Sequence, residues 1–433
     1  MMRSEKVVAA VDVGTSKTVV AVGKLDDNGQ VVLLGCGEAP SSGVIRGEVR
    51  NIEAVAKAID EAACNLAVDE EINEVYVNVS GKRFIAIDVE TERDFEEETT
   101  ITRAEIQSML QEASYIDLQE DQKVYHIELQ GYDLDGEYFA DVVGMMAHKL
   151  RASYKIFVAQ KTYAKNLDFA IAKSCLRTDR LVLDSVSTAE ALLSDDEKEA
   201  GVVLLEMGAS LTKLSIYTDS VLRYQDALPF AGSIMTNDLK DECTITLSQA
   251  EKLKTIYGKA IADKTQKNTY ISIPSYNGSR PREINMNMLA AILQSRLDEF
   301  ADWASLAIEK SGYADELNAG MVLTGGTAQL QDISTLFKYR LGLDVRIGYP
   351  RVCQRFQGFR TPAYASVFGL LQIGLYEIQE ELLAPKQRMR KNKSKQRNKA
   401  KKSNTPGIFE KFFEKFSSQA ELFLSEEEGD EIQ

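Results

Sequence analysis

Two stretches of the chain carry the same alternation of apolar strand and polar turn. "KVVAAVDVGTSKTVVAVGKL" sets Val-rich runs on either side of Gly14-Thr15-Ser16, which predicts strand, tight turn, strand. "GVVLLEMGASLTKLSIY" repeats that pattern far downstream. Between them, "NIEAVAKAIDEAACNLA" spaces Ile52, Val55, Ile59, Ala62 and Ala63 as one helical face, and "EVYVNVSG" alternates as a strand. Residues 85–160 look like a separate insertion. They hold an acidic patch (Glu96, Glu97, Glu98), a helix "TRAEIQSMLQEASYI" capped by Thr102, and the strands "KVYHIELQGYDL" and "SYKIFVAQ". A helix follows at 161–175, then the long helical pattern "MLAAILQSRLDEFADWASLAIEKSG", then "GMVLTGGTAQLQDISTLFKYRLG" and a last helix near 363–381. This order predicts an α/β architecture with inserted pieces.

Superposing the two hairpins gives acid–x–Gly–x–Ser–x–Thr twice: Asp12, Gly14, Ser16, Thr18 against Glu206, Gly208, Ser210, Thr212. A repeat at that distance suggests two related half-domains, each offering a tight turn. Glycine lets backbone N–H groups approach phosphate oxygens, hydroxyls add donors, and a carboxylate before the glycine can hold a water on Mg²⁺. Ordinary hairpin turns also use Gly and Ser, so either turn alone says little. No helix pattern follows Gly14, which excludes the usual dinucleotide fingerprint. A third piece, "MVLTGGTAQL", predicts a buried strand, then Gly325-Gly326-Thr327, then a helix. There a flat ring or sugar could approach the backbone and a helix N-terminus adds positive partial charge.

Charge narrows the function classes. The 433 residues carry a net charge of −15, while residues 386–402, "KQRMRKNKSKQRNKAKK", hold ten Lys or Arg and no acid, leaving the rest at −25. Such a body is a poor partner for a nucleic-acid backbone. Five scattered cysteines without a CxxC pair, and only two histidines, offer no zinc-like cluster and suggest reduced thiols in an intracellular protein. Asp12 interrupts the first apolar run too early for a signal peptide, and no window is apolar enough to span a bilayer.

Beyond the basic run lies "NTPGIFEKFFEKFSSQAELFLS". At about 100° per residue, Phe409, Phe412, Phe413, Phe416 and Phe423 fall within an arc of roughly 100°, with acids and serines opposite and Lys411 and Lys415 on the flanks. So short a helix needs a surface to fold against. A protein groove is one such surface. A bilayer interface is the other, and the basic run favours it, at about 1 kcal/mol per charge near anionic lipid. The trailing acids of "SEEEGDEIQ" oppose that attraction.

Two phosphate hairpins followed by a Gly-Gly turn resemble the actin, sugar-kinase and heat-shock-chaperone superfamily. Within it, "SSGVIRGEVRNIEAV", "LPFAGSIMTNDL", "VLTGGTAQL", "PAYASVFGLL" and the basic linker with its terminal helix resemble the FtsA family of bacterial cell-division proteins over essentially the whole chain. The resemblance implies a two-lobed actin-like fold. The first lobe would comprise residues 1–84, 161–197 and a closing helix 361–383, interrupted by an inserted α/β subdomain 85–160 and by the second lobe 198–360. A disordered linker 384–404, a membrane-targeting helix 405–424 and an acidic tail 425–433 would complete it.

It further implies ATP with Mg²⁺ in the cleft. Asp12, Gly14, Thr15, Ser16 and Lys17 would form the first phosphate hairpin and Glu206, Gly208, Ser210 and Thr212 the second. Gly232 and Asn237 would begin a second nucleotide-facing segment, Glu251 and Lys254 would approach the ribose or base, and Gly325, Gly326 and Thr327 would form the adenosine turn. The implied role is an adaptor that polymerises, recruits the tubulin-like FtsZ by its C-terminal peptide, meets downstream division proteins, and holds them to anionic lipid on the cytoplasmic face. Arg296 and Glu299 are the candidate FtsZ contacts. No catalytic residue or dedicated metal site is assigned, and turnover would be weak at most.

Three departures stand out. Glu206 replaces the superfamily's Asp, Ser210 its second Gly, where a Cβ should crowd the phosphate, and Lys213 stands where many relatives have an acid. Asp184 or Glu190 could position a water, or be solvated surface. The rival readings are a sugar or acetate kinase, which would need a catalytic carboxylate and no such tail, and a pilus-assembly platform protein, which generally lacks the terminal helix.

Overall fold

The computed structural model describes residues 7–26, 29–66, 68, 70–264, 268–274, 281–351 and 359–379. Its first sheet runs, edge to edge, Arg177–Leu183, Glu74–Val79, Val7–Val13, Lys17–Leu25, Val31–Pro40. The last three form an antiparallel meander, and the other two join parallel to Val7–Val13. The second sheet runs Val345–Ile347, Met321–Thr324, Val202–Met207, Thr212–Thr218, Val221–Leu228, again a meander with two parallel strands beside its first member. Read in chain order, the two sheets have one topology. The register repeats as well: Asp12 faces Val19 across the first hairpin, and Glu206 faces Lys213 across the second. The repeated motif is therefore the trace of a duplicated half, as an actin-like two-lobed fold requires.

Strands covered on both faces read as continuous apolar runs, which is why these hairpins look so hydrophobic. In Val7–Val13, Ala9, Val11 and Val13 pack with Ile59, Ala62 and Ile171 from the helices Ile52–Cys64 and Lys161–Lys173. Val8 and Ala10 point the other way, onto Phe368 and Leu371 of a helix over 365–379. The second sheet buries Val203, Leu205 and Met207 against Leu293, Leu297 and Phe300 of the helix Met286–Ser311. The helix 365–379 crosses Asp184–Leu192 so closely that a Cβ on Gly369 would overlap the Ser187 carbonyl. Because Ala189 and Leu192 also pack with Val202 and Leu204 of the second sheet, this crossing joins the lobes.

Between the strand Glu74–Val79 and the helix Lys161–Lys173 the chain makes a sheet of its own, ordered Ile85–Thr100, Met146–Gln160, Gln122–Leu134, Glu137–Phe139. The helix Arg103–Ser114 packs on it through Met109, Leu110 and Ala113, and Thr102 and Glu105 close a capping box at its start. The outer strand Ile85–Thr100 carries the acidic patch, charge that keeps an exposed sheet edge from pairing with another chain. Gln130 Nε2 donates to the Leu222 carbonyl at 3.2 Å, and Arg223 Nη1 donates to the Gln130 carbonyl at 3.0 Å, so the insertion also touches the second lobe.

One element differs from its sequence reading. No α-helix starts at Gly326: a single 3₁₀ turn, Gly326–Gln329, follows the strand, and the α-helix begins only at Ile333. Ala260 N donates to the Gln331 carbonyl at 2.8 Å, which pulls the chain aside before the helix can start. The four described cysteines form no disulfide. No helix among the described residues is long and apolar enough to cross a membrane.

Candidate functional site

The two hairpin turns meet across a cavity of about 430 Å³ between the lobes. Their internal geometry is the same. Gly14 N donates to the Lys17 carbonyl at 3.1 Å, and Gly208 N donates to the Leu211 carbonyl at 3.0 Å. A Cβ on Gly14 would stand 2.7 Å from that carbonyl, so the tightness of the turn itself requires glycine there. Thr15 Oγ1 and Ser210 Oγ lie 2.7 Å apart, one hydroxyl from each hairpin, and Arg46 N donates to Ser210 Oγ at 3.0 Å. The Ser210 hydroxyl thus links the two turns.

Beside the second hairpin, Gly325 adopts φ 86° at the end of Met321–Thr324, and a Cβ there would run into the Met207 carbonyl of the neighbouring strand. Thr327 Oγ1 donates to the Gly208 carbonyl at 2.9 Å, tying this turn to the second hairpin. Lys254 Nζ donates to the Gly232 carbonyl at 2.9 Å, to Thr236 Oγ1 at 2.7 Å and to Glu251 Oε2 at 2.8 Å. Lys17 lies 3.1 Å from Glu38 and 3.2 Å from the centre of the Tyr364 ring.

Of the residues expected at the nucleotide, all but two line this cavity. Thr212 is fully buried and donates to the Phe230 carbonyl at 2.8 Å, because the strand alternation turns it into the sheet packing. Asn237 is exposed on the helix Gly232–Cys243, off the cavity.

Beneath the hairpins lies a polar cluster. Asn78 Nδ2 donates to Asp12 Oδ1 at 2.7 Å, and Val13 N donates to Asn78 Oδ1 at 3.1 Å. Lys213 Nζ forms an ion pair with Asp184 and a second with Glu206 at 2.9 Å. Ser366 Oγ donates to Asp184 Oδ1 at 2.6 Å, and Thr188 Oγ1 donates to Glu206 Oε2 at 3.0 Å. Burial raises the Asp12 carboxyl, with Lys213, Asn78 and Lys17 opposing. Burial, and then the Asp12 charge, push Glu206 up to about 8, while 19% exposure of its side chain lets cleft water moderate that push. Burial lowers Lys213 to about 7, with Asp12 opposing. The ion contacts to Asp184 and Glu206 favour its charged form at neutral pH.

Asp184 is therefore not solvated surface: it is 3% exposed and lines the cavity. Glu190 sits away from the cavity, 3.2 Å from Lys198. Sequence reading missed Asn78. Its signal was a polar residue in a strand whose other central positions are apolar.

The family model described as cell division protein FtsA matches residues 203–369, and that described as an SHS2 domain inserted in FtsA matches residues 81–158. Cell division protein FtsA of Pseudomonas aeruginosa is 30% identical over 383 residues, covering 86% of this chain and 90% of its own length. The chain belongs to the FtsA family of cell division proteins. FtsA of Escherichia coli K12 is 27% identical over 380 residues, covering 85% of this chain and 90% of its own.

Two solved structures share the actin-like fold of this FtsA-family chain. A chain of the PilM-PilN type IV pilus biogenesis complex aligns with a TM-score of 0.63 at 14% identity, over 85% of this chain and 98% of that one. MreB5 of Spiroplasma citri, solved bound to ADP, aligns at 0.54 and 11%, over 87% and 98%.

The resemblance to FtsA also suggested Arg296 and Glu299. Arg296 Nε and Nη2 donate to the two carboxylate oxygens of Asp238 at 2.9 and 3.1 Å, and Nη1 donates to Glu299 at 2.6 Å. The guanidinium thus forks onto a neighbouring helix of its own lobe, while Glu299 stays exposed. Phe409, Phe412, Phe413, Phe416, Phe423, Lys411 and Lys415 lie outside the described residues.

Proposed function

We propose that this chain binds ATP between its lobes and acts at the division site as an adaptor that polymerises and links FtsZ to the inner face of the cell membrane. The observation that carries the nucleotide reading is the pairing of two glycine turns with the same internal hydrogen bond across one cavity, with Gly325 beside the second. Backbone N–H groups of both turns would hold the phosphates, Lys17 would add positive charge there, and Lys254 would approach the ribose or base. Gly232, Glu251 and Thr327 would frame the nucleoside. Any Mg²⁺ would travel with the ATP phosphates, since Lys213 already occupies the carboxylates.

The FtsZ C-terminal peptide would dock along the helix Met286–Ser311. There Glu299 offers a charge, and Arg296 offers the edge of a guanidinium that Asp238 holds in place. Residues 384–404 serve as a leash and 405–424 as an amphipathic anchor in anionic lipid. One such helix binds weakly, whereas many on one filament bind by avidity, so self-association and tethering support each other.

Co-sedimentation with anionic and neutral liposomes, in ATP, tests the tether by comparing the whole chain with one ending at Asn404. The whole chain alone should pellet, and less with neutral lipid or high salt. Equal pelleting of both forms, or of neither, overturns the anchor.

A further inference from the structure

The duplicated halves provide an internal comparison at one register position. Asp12 faces Val19 across the first hairpin, and Glu206 faces Lys213 across the second. Val19 is fully buried among apolar neighbours, so this position of the fold works without any charge. In the second half it carries a lysine that is 6% exposed, and whose ammonium lines the nucleotide cavity. Burying an ammonium is costly unless carboxylates surround it, and two do: Asp184 and Glu206. Asp12 adds a third negative charge near enough to act on Lys213.

These three acids are the ones that a divalent cation beneath the phosphates would use, directly or through its waters. Mg²⁺ needs near-octahedral oxygen ligation and keeps several waters, so it would have to displace the ammonium or sit beside it against like charge. The hairpin register roots Lys213 opposite Glu206, and its buried stem keeps the ammonium among these carboxylates. Among the described residues, no group of three or more carboxylate, histidine or cysteine side chains is arranged to hold a metal ion. The donor set does not fit a protein-held Mg²⁺.

We propose that the Lys213 ammonium takes the place of a protein-bound divalent cation, so that the cleft binds ATP as well with Mg²⁺ chelated as with Mg²⁺ present. This rests on the nucleotide reading above. The ammonium is tethered, cannot be chelated, and satisfies Asp184 and Glu206 before any ligand arrives. The phosphates then meet a floor whose negative charge the ammonium offsets in part, together with the N–H groups of both turns. Burial holds Glu206 and Asp12 toward their neutral forms. Mg²⁺ would then travel with the ATP, without contributing to affinity through the protein.

The test is calorimetric titration of the full chain with ATP, in excess Mg²⁺ and in EDTA, for the wild type and for Lys213→Met. Methionine keeps most of the side chain's length and removes its charge. The wild-type dissociation constants in the two buffers should agree within about threefold, whereas Lys213→Met should bind at least about tenfold more weakly in EDTA than in Mg²⁺. A wild type that loses about tenfold or more in EDTA overturns the proposal and leaves the nucleotide site standing. A Lys213→Met protein with no Mg²⁺ dependence also overturns it. Absence of wild-type binding in both buffers defeats the nucleotide reading itself, and the proposal with it. Should Lys213→Met fail to fold, the wild-type pair of titrations still decides.

Discussion

Replacing Asp184 by alanine should cost roughly 3–5 kcal/mol of stability, the range seen when one partner of a buried ion pair is removed. Asp184 is 3% exposed and pairs with Lys213, which is 6% exposed. Its loss leaves the ammonium with Glu206, whose carboxyl burial holds toward its neutral form. It also takes the acceptor from Ser366 Oγ, at 2.6 Å, where the closing helix meets the crossing helix Asp184–Leu192. Urea unfolding followed by circular dichroism should show the loss as a lower midpoint. Adding Lys213→Met should recover much of it, because an apolar pair of similar volume costs far less than an orphaned charge. A loss below about 1 kcal/mol in the single variant would mean that the pair does not hold the lobes together.

Gly325→Val should lower ATP affinity by about a hundredfold or more, equivalent to roughly 2.7 kcal/mol. The backbone at Gly325 has φ 86°, a conformation in which a β-branched residue is strained. Its Cβ would also press on the Met207 carbonyl, in the strand that carries Glu206 and leads into Gly208. Relief requires the third turn and the second hairpin to separate, which spoils the second lobe's wall of the cleft. Gly326→Ala is the control for the fold: nothing lies within 4 Å of a Cβ added there, so its unfolding midpoint should stay near wild type. Equal ATP affinity in Gly325→Val and wild type would place the nucleotide elsewhere.

The hairpins were legible because each packs its information into seven residues: an acid, a glycine, two hydroxyls and apolar flanks. The shared sheet topology then follows from what those strands can pair with. The polar cluster was not legible as a unit. Lys213 meets Asp184, and Asp12 meets Asn78, only after separate strands and helices converge, and no local period encodes that. Position in a motif also misled where it ignored strand phase. Thr212 occupies a motif position, yet it lies off the cavity and donates to the Phe230 carbonyl, while the next residue, Lys213, lines the cavity. Arg296 looked free to meet a peptide because its partner, Asp238, lies on another helix. The glycine pair suggested a helix start, whereas the chain makes one 3₁₀ turn and bends toward Ala260 first.

Amide hydrogen exchange of the full chain, with and without saturating ATP, tests the central claim most directly. Exchange should slow together in residues 12–18, 206–212 and 325–329, because one ligand would contact both hairpins and the third turn. Protection confined to one lobe, or none at either hairpin, would contradict a nucleotide held between the duplicated halves.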